Sequence, residues 1–156
     1  MTANTNRPSV TDKEGELRIE EQVCFSLYSL SRAFTKQYSI LLKKLGITYP
    51  QYLAMMVLWQ GDGLSIQEMA DHIELEQATA TPLIQRLEKL GLVSRVRSTA
   101  DERRVEVFLT SKGRALFKKA RDIPRQMGCA TDLSESNAKK LIKQTNKIKT
   151  FIKENN

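Results

Sequence analysis

The chain has 156 residues, 40% of them hydrophobic and 28% charged, with a formal net charge of +7. That length and apolar content suffice for one packed domain and exclude wholesale disorder, while the surplus of positive charge favours an anionic partner such as nucleic acid or a membrane surface. No run approaches the roughly eighteen apolar residues of a bilayer-spanning helix, and the polar start MTANTNRPSVTDKEGE lacks a signal-peptide core. The chain is therefore expected in the cytoplasm, with residues 1–16 as a flexible arm ahead of the fold.

Val23, Leu27, Leu30, Phe34, Leu41 and Leu45 recur at the spacing of one helix face, which predicts a long helix from about Arg18 to Leu45, stopped by Gly46. Such a stripe calls for a second surface, and a second subunit would supply one. Thr48-Tyr49-Pro50 starts the next helix, with Thr48 or Tyr49 near the cap and Pro50 in the first turn. The stretch to Gln60 is apolar on most sides and so should be buried, and Gly61 and Gly63 close it. Ser65 and Glu68 form a capping box for a short helix whose Ile66, Met69, Ala70 and Ile73 face inward. After a turn at residues 74–76, a second helix runs from Gln77 to Leu90, with Leu83, Leu87 and Leu90 inward and Gly91 as its stop. Two short helices joined by a tight turn are a helix-turn-helix.

Leu92–Arg97 and Val105–Leu109 then alternate as strands, with the charged run STADERR between them, predicting a two-stranded wing. Thr110 or Ser111 opens a helix expected to run to about Met127, kinked at Pro124 and ended by Gly128, which places Cys129 in a loop. Ser134 caps the last helix, where Leu141, Thr145, Ile148 and Ile152 form a seam suited to helix–helix packing. The expected fold is mainly α with a small β-hairpin wing. Residues 17–156 form one winged helix-turn-helix domain, with dimerisation helices at about 17–46 and 111–154 and a DNA-binding lobe at about 48–110. A two-fold dimer would set two reading heads on one face of a duplex.

The second helix of the motif opens with Gln77, Thr79, Thr81 and Pro82, and Gln85 and Arg86 follow one to two turns on. Small residues let a helix approach base edges, and Thr and Gln both donate and accept hydrogen bonds. In the wing, Arg95, Arg97, Arg103 and Arg104 concentrate positive charge of the kind drawn to a narrow minor groove, and Asp101 can hold the Arg103 guanidinium in a bidentate pair. Singly, each feature has a plainer explanation, since charged hairpin tips are often only solvated and Thr-rich helix starts only cap. Together, on a chain of net charge +7, they point to DNA.

Cys24 and Cys129 are too few for a disulfide scaffold, and a structural disulfide is not expected in a reducing compartment. The single histidine, His72, reads as a helix-surface residue, and no zinc-ligand spacing is present. No metal, cofactor or catalytic residue is expected. Taken alone, a free cysteine such as Cys24 is usually a buried, inert small hydrophobe.

The layout, with the run DERRVEVFLTSKG after the second helix, resembles the MarR family of winged-helix repressors. Within that family, CFSLYSLSRAFTKQY followed by LLKKLGITYPQYLAMMVLW resembles the organic-hydroperoxide repressors, known as OhrR; the likeness covers the chain from about Ile19 to Phe151. It implies a homodimeric repressor, not an enzyme, in which Cys24 senses peroxide. It implies also that Tyr38 and Tyr49 hydrogen-bond the Cys24 thiolate from the other subunit, with Tyr28 nearby. The two-cysteine pattern implies that Cys129 resolves the first oxidation product as an intersubunit disulfide, and Asp101 and Arg103 match the family's wing pair. The implied partners are operator DNA, a second copy of the chain and organic hydroperoxides as signal.

The chemistry can be weighed on its own terms. A thiolate, not a thiol, attacks peroxide. Glu20 and Glu21, just before Cys24, disfavour a further negative charge there, so phenol donors would help. Tyr28 is one helical turn from Cys24 on the same face. Tyr38 is fourteen residues on from Cys24, about 21 Å away along a straight helix, so a role for it requires an antiparallel dimer. Three rivals stand beside this reading: a MarR-type regulator induced by a small aromatic ligand, a thiol peroxidase whose DNA binding is incidental, and an architectural DNA binder with no sensor.

Overall fold

The computed structural model describes residues 18–97 and 104–155. The expected arm at 1–16 and the wing tip with Asp101 and Arg103 lie outside the described residues. The chain divides into two compact units, one ending at Lys36 and one beginning at Gln37.

The first unit holds a 3-10 turn, Ile19–Glu21, and most of helix α1, Val23–Leu42. The expected helix start near Arg18 is corrected. Gln22 is extended (ψ 121°) and closes the short turn by donating its backbone N–H to the Ile19 carbonyl, so the regular helix begins only at Val23 and Cys24 is its second residue. A further 3-10 turn, Lys43–Leu45, ends at Gly46, whose φ of 69° is the left-handed geometry that glycine adopts at little cost.

In the second unit, α2 (Tyr49–Gln60) starts where the Thr48 N–H donates to Gln51 Oε1 at 2.8 Å, with Pro50 in the first turn. Strand β1 (Leu64–Ser65) leads into α3 (Ile66–His72). The Glu68 N–H donates to Ser65 Oγ at 3.2 Å, and the Ser65 N–H donates to Glu68 Oε2 at 2.7 Å. This reciprocal capping satisfies two of the amides that a helix start leaves without partners. Glu74, at a left-handed φ of 55°, makes the turn into α4 (Gln77–Lys89), whose Ala80, Leu83, Ile84 and Leu87 are buried.

Strands β2 (Val93–Arg97) and β3 (Val105–Leu109) pair antiparallel, with Arg95 opposite Val107. The expected hairpin of β2 and β3 is present, and β1 adds to it on the far side of β3 through Leu64 and Ser65, giving a three-stranded sheet in the order β1-β3-β2. Two residues are too few to show alternation, which is why the pattern hides this strand.

The helix expected from Ser111 to Met127 is two helices, α5 (Ser111–Ala120) and α6 (Ile123–Thr131). Proline lacks an N–H that the first turn of a helix does not need, so Pro124 starts α6 instead of kinking a longer helix. Gly128 does not end it. Buried Ile123 and Met127 anchor the helix, and a glycine inside costs only about 1 kcal/mol. The end comes at Asp132, left-handed at φ 50°, and so Cys129 lies in the last turn of α6, not in a loop. Ser134 caps α7 (Glu135–Glu154), as expected.

The core of the second unit is drawn from α2, α3, α4 and the sheet: Met55, Leu58, Met69, Ile84, Leu87 and Val107 are wholly buried. Gly113 sits where the start of α5 crosses the wing, and a Cβ there would lie 2.0 Å from the Leu92 carbonyl oxygen.

Candidate nucleic-acid interface and thiol site

Helix α4 separates its two faces cleanly. Ala80, Leu83, Ile84 and Leu87 are buried, while Gln77, Thr79, Pro82, Gln85 and Arg86 are exposed along the other side. The 3.6-residue period places this polar row opposite the core. Thr81 departs from the row: it is half-buried, and its hydroxyl donates to the Gln77 carbonyl at 2.8 Å, so only its oxygen remains free to accept. Gln77 and Gln67 border an open groove of about 440 Å³ against Arg104 and Val105 at the root of β3. The helix start and the wing thus share one concave surface.

The wing arginines differ in their partners. Arg97 is exposed near the end of β2. Arg104 donates to Glu68 Oε2 at 2.7 Å. Bonds from the Ser65 backbone and hydroxyl, with Arg104 added, hold the Glu68 carboxyl down to about 2. Arg95 is turned to the helix: its Nε and Nη2 both lie 2.8 Å from Glu88 Oε2, and its backbone N–H reaches Oε1 at 3.2 Å. Asp62 performs a similar service at the other end of β3, accepting from the Leu109 N–H at 2.9 Å and from Arg114 at 2.8 Å. None of these carboxylates was singled out as a partner of the wing by the sequence pattern. Glu88, an acid in the last turn of a helix, is the one whose position offered a signal.

At the start of α1, Cys24 is exposed. Tyr28 follows one turn later, and its hydroxyl oxygen accepts from Arg32 Nη1 at 3.0 Å, leaving the phenol hydrogen available to donate. The Arg32 guanidinium also lies 5.6 Å from the centre of the Tyr28 ring. Arg32 extends the same face by a further turn and is a residue the reading of the sequence passed over.

In the second unit, Tyr38 and Tyr49 are stacked, with ring centres 4.2 Å apart and planes 19° from parallel. Tyr52 lies 5.9 Å from Tyr38, and Trp59 meets Tyr52 edge-on. Burial, with the neighbouring phenols of Tyr49 and Tyr52 adding to it, pushes the Tyr38 hydroxyl up to about 12, and burial raises Tyr49 as well. Both phenols keep their protons at neutral pH and are donors. Two of the three tyrosines that the family resemblance implicates, Tyr38 and Tyr49, are therefore a contacting pair. Cys129 is exposed on α6. Among the described residues no cluster of His, Cys, Asp and Glu could hold a metal ion, and no helix is long and apolar enough to cross a membrane.

Residues 36–120, more than half of the chain, match the family model described as transcriptional regulator SarA/Rot. The chain belongs to this MarR-like family of winged-helix regulators. Among curated relatives of this regulator, the organic hydroperoxide resistance transcriptional regulator of Bacillus subtilis is 47% identical over 113 residues, which are 72% of this chain and 77% of that protein. The regulator MgrA of Staphylococcus aureus is 31% identical over 83% of this chain and 89% of its own length. Among solved structures, reduced AbfR bound to DNA superposes with a TM-score of 0.73 at 29% identity, covering 87% of this chain and 94% of that one. Overoxidised AbfR bound to DNA gives 0.69 at the same identity, covering 87% and 96%. The expected winged-helix fold is thus confirmed, and the chain is a DNA-binding transcriptional regulator.

Proposed function

We propose that this regulator is a cytoplasmic repressor that binds operator DNA as a homodimer while Cys24 is reduced and leaves it when an organic hydroperoxide oxidises Cys24. The observation that carries this reading is an exposed cysteine in the first turn of α1 of a chain 47% identical to an organic hydroperoxide resistance regulator. The Cys24 thiolate attacks the outer peroxide oxygen; an S–O bond forms, the O–O bond breaks, and the alkoxide leaves, taking a proton from solvent to become the alcohol. The Cys129 thiol of the other subunit then attacks the sulfenic sulfur, an S–S bond forms and water leaves. Tyr38 and Tyr49, stacked and protonated, act as a pair of donors to the thiolate across the dimer, with Tyr28 as a donor one turn away on its own helix.

On the DNA side, Gln77, Thr79, Pro82, Gln85 and Arg86 face the major groove, with Thr81 as an acceptor beside them. Arg97, Arg103 and Arg104 run along the minor groove, with Asp101 aiming Arg103. Disulfide formation needs Cα atoms within about 7 Å. Drawing the helices of Cys24 and Cys129 together changes the separation of the two heads from the roughly 34 Å of one duplex turn, and the operator is released.

A second reading is favoured by one feature. A cavity of about 480 Å³ between α2 and the helix-turn-helix, lined by Tyr49, Leu53, Ile73, Leu75, Thr79 and Arg86, has the size and mixed lining of a small-ligand site. A small aromatic inducer bound there would act without the cysteine. An operator shift assay with cumene hydroperoxide on wild type and Cys24→Ser separates the two. The redox reading predicts release of the wild type and retention of the variant; a wild type that stays bound under oxidant sinks it. Non-reducing gels of the same samples test Cys129, whose role predicts a covalent dimer lost in Cys129→Ser.

A further inference from the structure

Glu88 is oddly placed for a DNA-binding protein. It is in the last turn of α4, where the helix dipole disfavours an anion, on the helix whose exposed face reads DNA. On charge alone it weakens binding. What it gains is Arg95: two guanidinium nitrogens at 2.8 Å from one carboxylate oxygen and the Arg95 backbone N–H at 3.2 Å from the other. Both side chains are about two-thirds shielded from solvent, so the pair is held in a fork at the root of the wing.

The register of β2 gives that fork a consequence. Arg95 is the middle residue of Val93–Arg97, and Arg97 is two residues further on. Alternation along a strand turns the two side chains to the same face, about 6.6 Å apart along the strand. Fixing Arg95 on α4 therefore fixes the direction in which Arg97 leaves the wing. The opposite strand is fastened independently, by Arg104 to Glu68 on α3 and by Leu109 N–H to Asp62.

We propose that Glu88 and Arg95 form a clasp that sets the wing at its working angle to α4. Glu88 is a positioning residue for DNA binding, Arg95 is not a phosphate ligand, and Arg97 is the side chain the clasp aims at the duplex. The clasp rests on the DNA-binding reading alone and is independent of the chemistry of Cys24.

The test uses the full-length reduced protein and a duplex that the wild type selects from a random-sequence pool. Simple electrostatics predicts that Glu88→Gln, by removing a negative charge, tightens binding. The clasp predicts the reverse sign: Glu88→Gln weakens binding about fivefold, as does Arg95→Ala, and the double variant is no weaker than Arg95→Ala alone. Arg97→Ala lowers the slope of log affinity against log salt by about 0.9; Glu88→Gln and Arg95→Ala, which misdirect that same contact, lower it by no more than this, and adding Arg95→Ala to Arg97→Ala lowers it no further. Hydroxyl-radical footprints of Glu88→Gln lose protection where the wing lies and keep it under α4, a change that a loss of folded fraction would not produce. Arg95→Lys retains the charge and the apolar stem, so it guards against a misfolded alanine variant; it loses the fork and should weaken binding to the same extent. Equal or tighter binding by Glu88→Gln, wild-type binding by Arg95→Lys, or a salt slope lowered further by adding Arg95→Ala to Arg97→Ala overturns the proposal.

Discussion

The head of this regulator and its terminal helices are built on different terms. From α2 to α5 the chain completes its own core: Met69, Ile84, Leu87 and Val107 are wholly buried, and Glu68, Asp62 and Glu88 each tie the wing to a neighbouring element. Helix α7 buries no residue, and its Ile142, Ile148 and Phe151 are exposed. At the start of α1, Val23, Leu27 and Tyr28 are likewise exposed. One chain suffices to make the reading head. Under the proposed mechanism a second chain covers the apolar rows of the terminal helices, and there a thiol's oxidation state becomes a change in head spacing.

Substitutions aimed at each region should separate the two. The largest effect is expected from Gly113→Ala, whose Cβ would meet the Leu92 carbonyl oxygen at 2.0 Å. The backbone of α5 or of β2 must move, at a cost of about 3 kcal/mol in chemical denaturation. Next comes Ile148→Arg on α7, which should leave the melting of the head within about 0.5 kcal/mol. It should nonetheless yield a monomer by light scattering and lose about 100-fold in operator affinity, because two linked heads bind far better than one. A variant that stays dimeric would remove this face of α7 from the proposed interface.

Tyr38→Phe preserves the ring that stacks on Tyr49 and removes only the hydroxyl. Its stability should match the wild type, while oxidation of Cys24 by hydroperoxide slows about tenfold, the size of one lost hydrogen bond to a charged sulfur. The smallest effect is expected from Glu68→Gln. Its folded carboxyl, at about 2, lies below the ordinary 4.5, so the stability it contributes is present above pH 4.5 and fades as pH falls through about 2. The variant should melt below the wild type at pH 7, and the gap should close over that acid range.

Local signals made most of the fold legible. The Ser65–Glu68 capping box, Gly91 and the alternation of Val105, Val107 and Leu109 each produce the element expected of them. Errors arose where a residue type has two uses. Pro124 breaks a helix interior but starts a helix, and Gly128 ends many helices but sits within α6, held by Ile123 and Met127. Strand β1 is defined only by its pairing with β3, which a two-residue pattern cannot announce. The candidate site was legible in its residue types more than in its pairings. The exposed row of α4 follows from periodicity; Tyr38 and Tyr49 were named only by family resemblance, and no local signal announced their contact with each other. That Arg95 belongs to Glu88 depends on where the wing crosses the helix, and no spacing rule contains it.

The central claim, that the redox state of Cys24 governs the grip of the head on DNA, is tested most directly by titrating the operator-bound wild type with cumene hydroperoxide and following release by fluorescence anisotropy. The account predicts release complete at about one hydroperoxide per subunit, reversal on adding a thiol reductant, and no release from Cys24→Ser. Release from Cys24→Ser at the same dose, or a wild type still bound after Cys24 is shown to be oxidised, would contradict it.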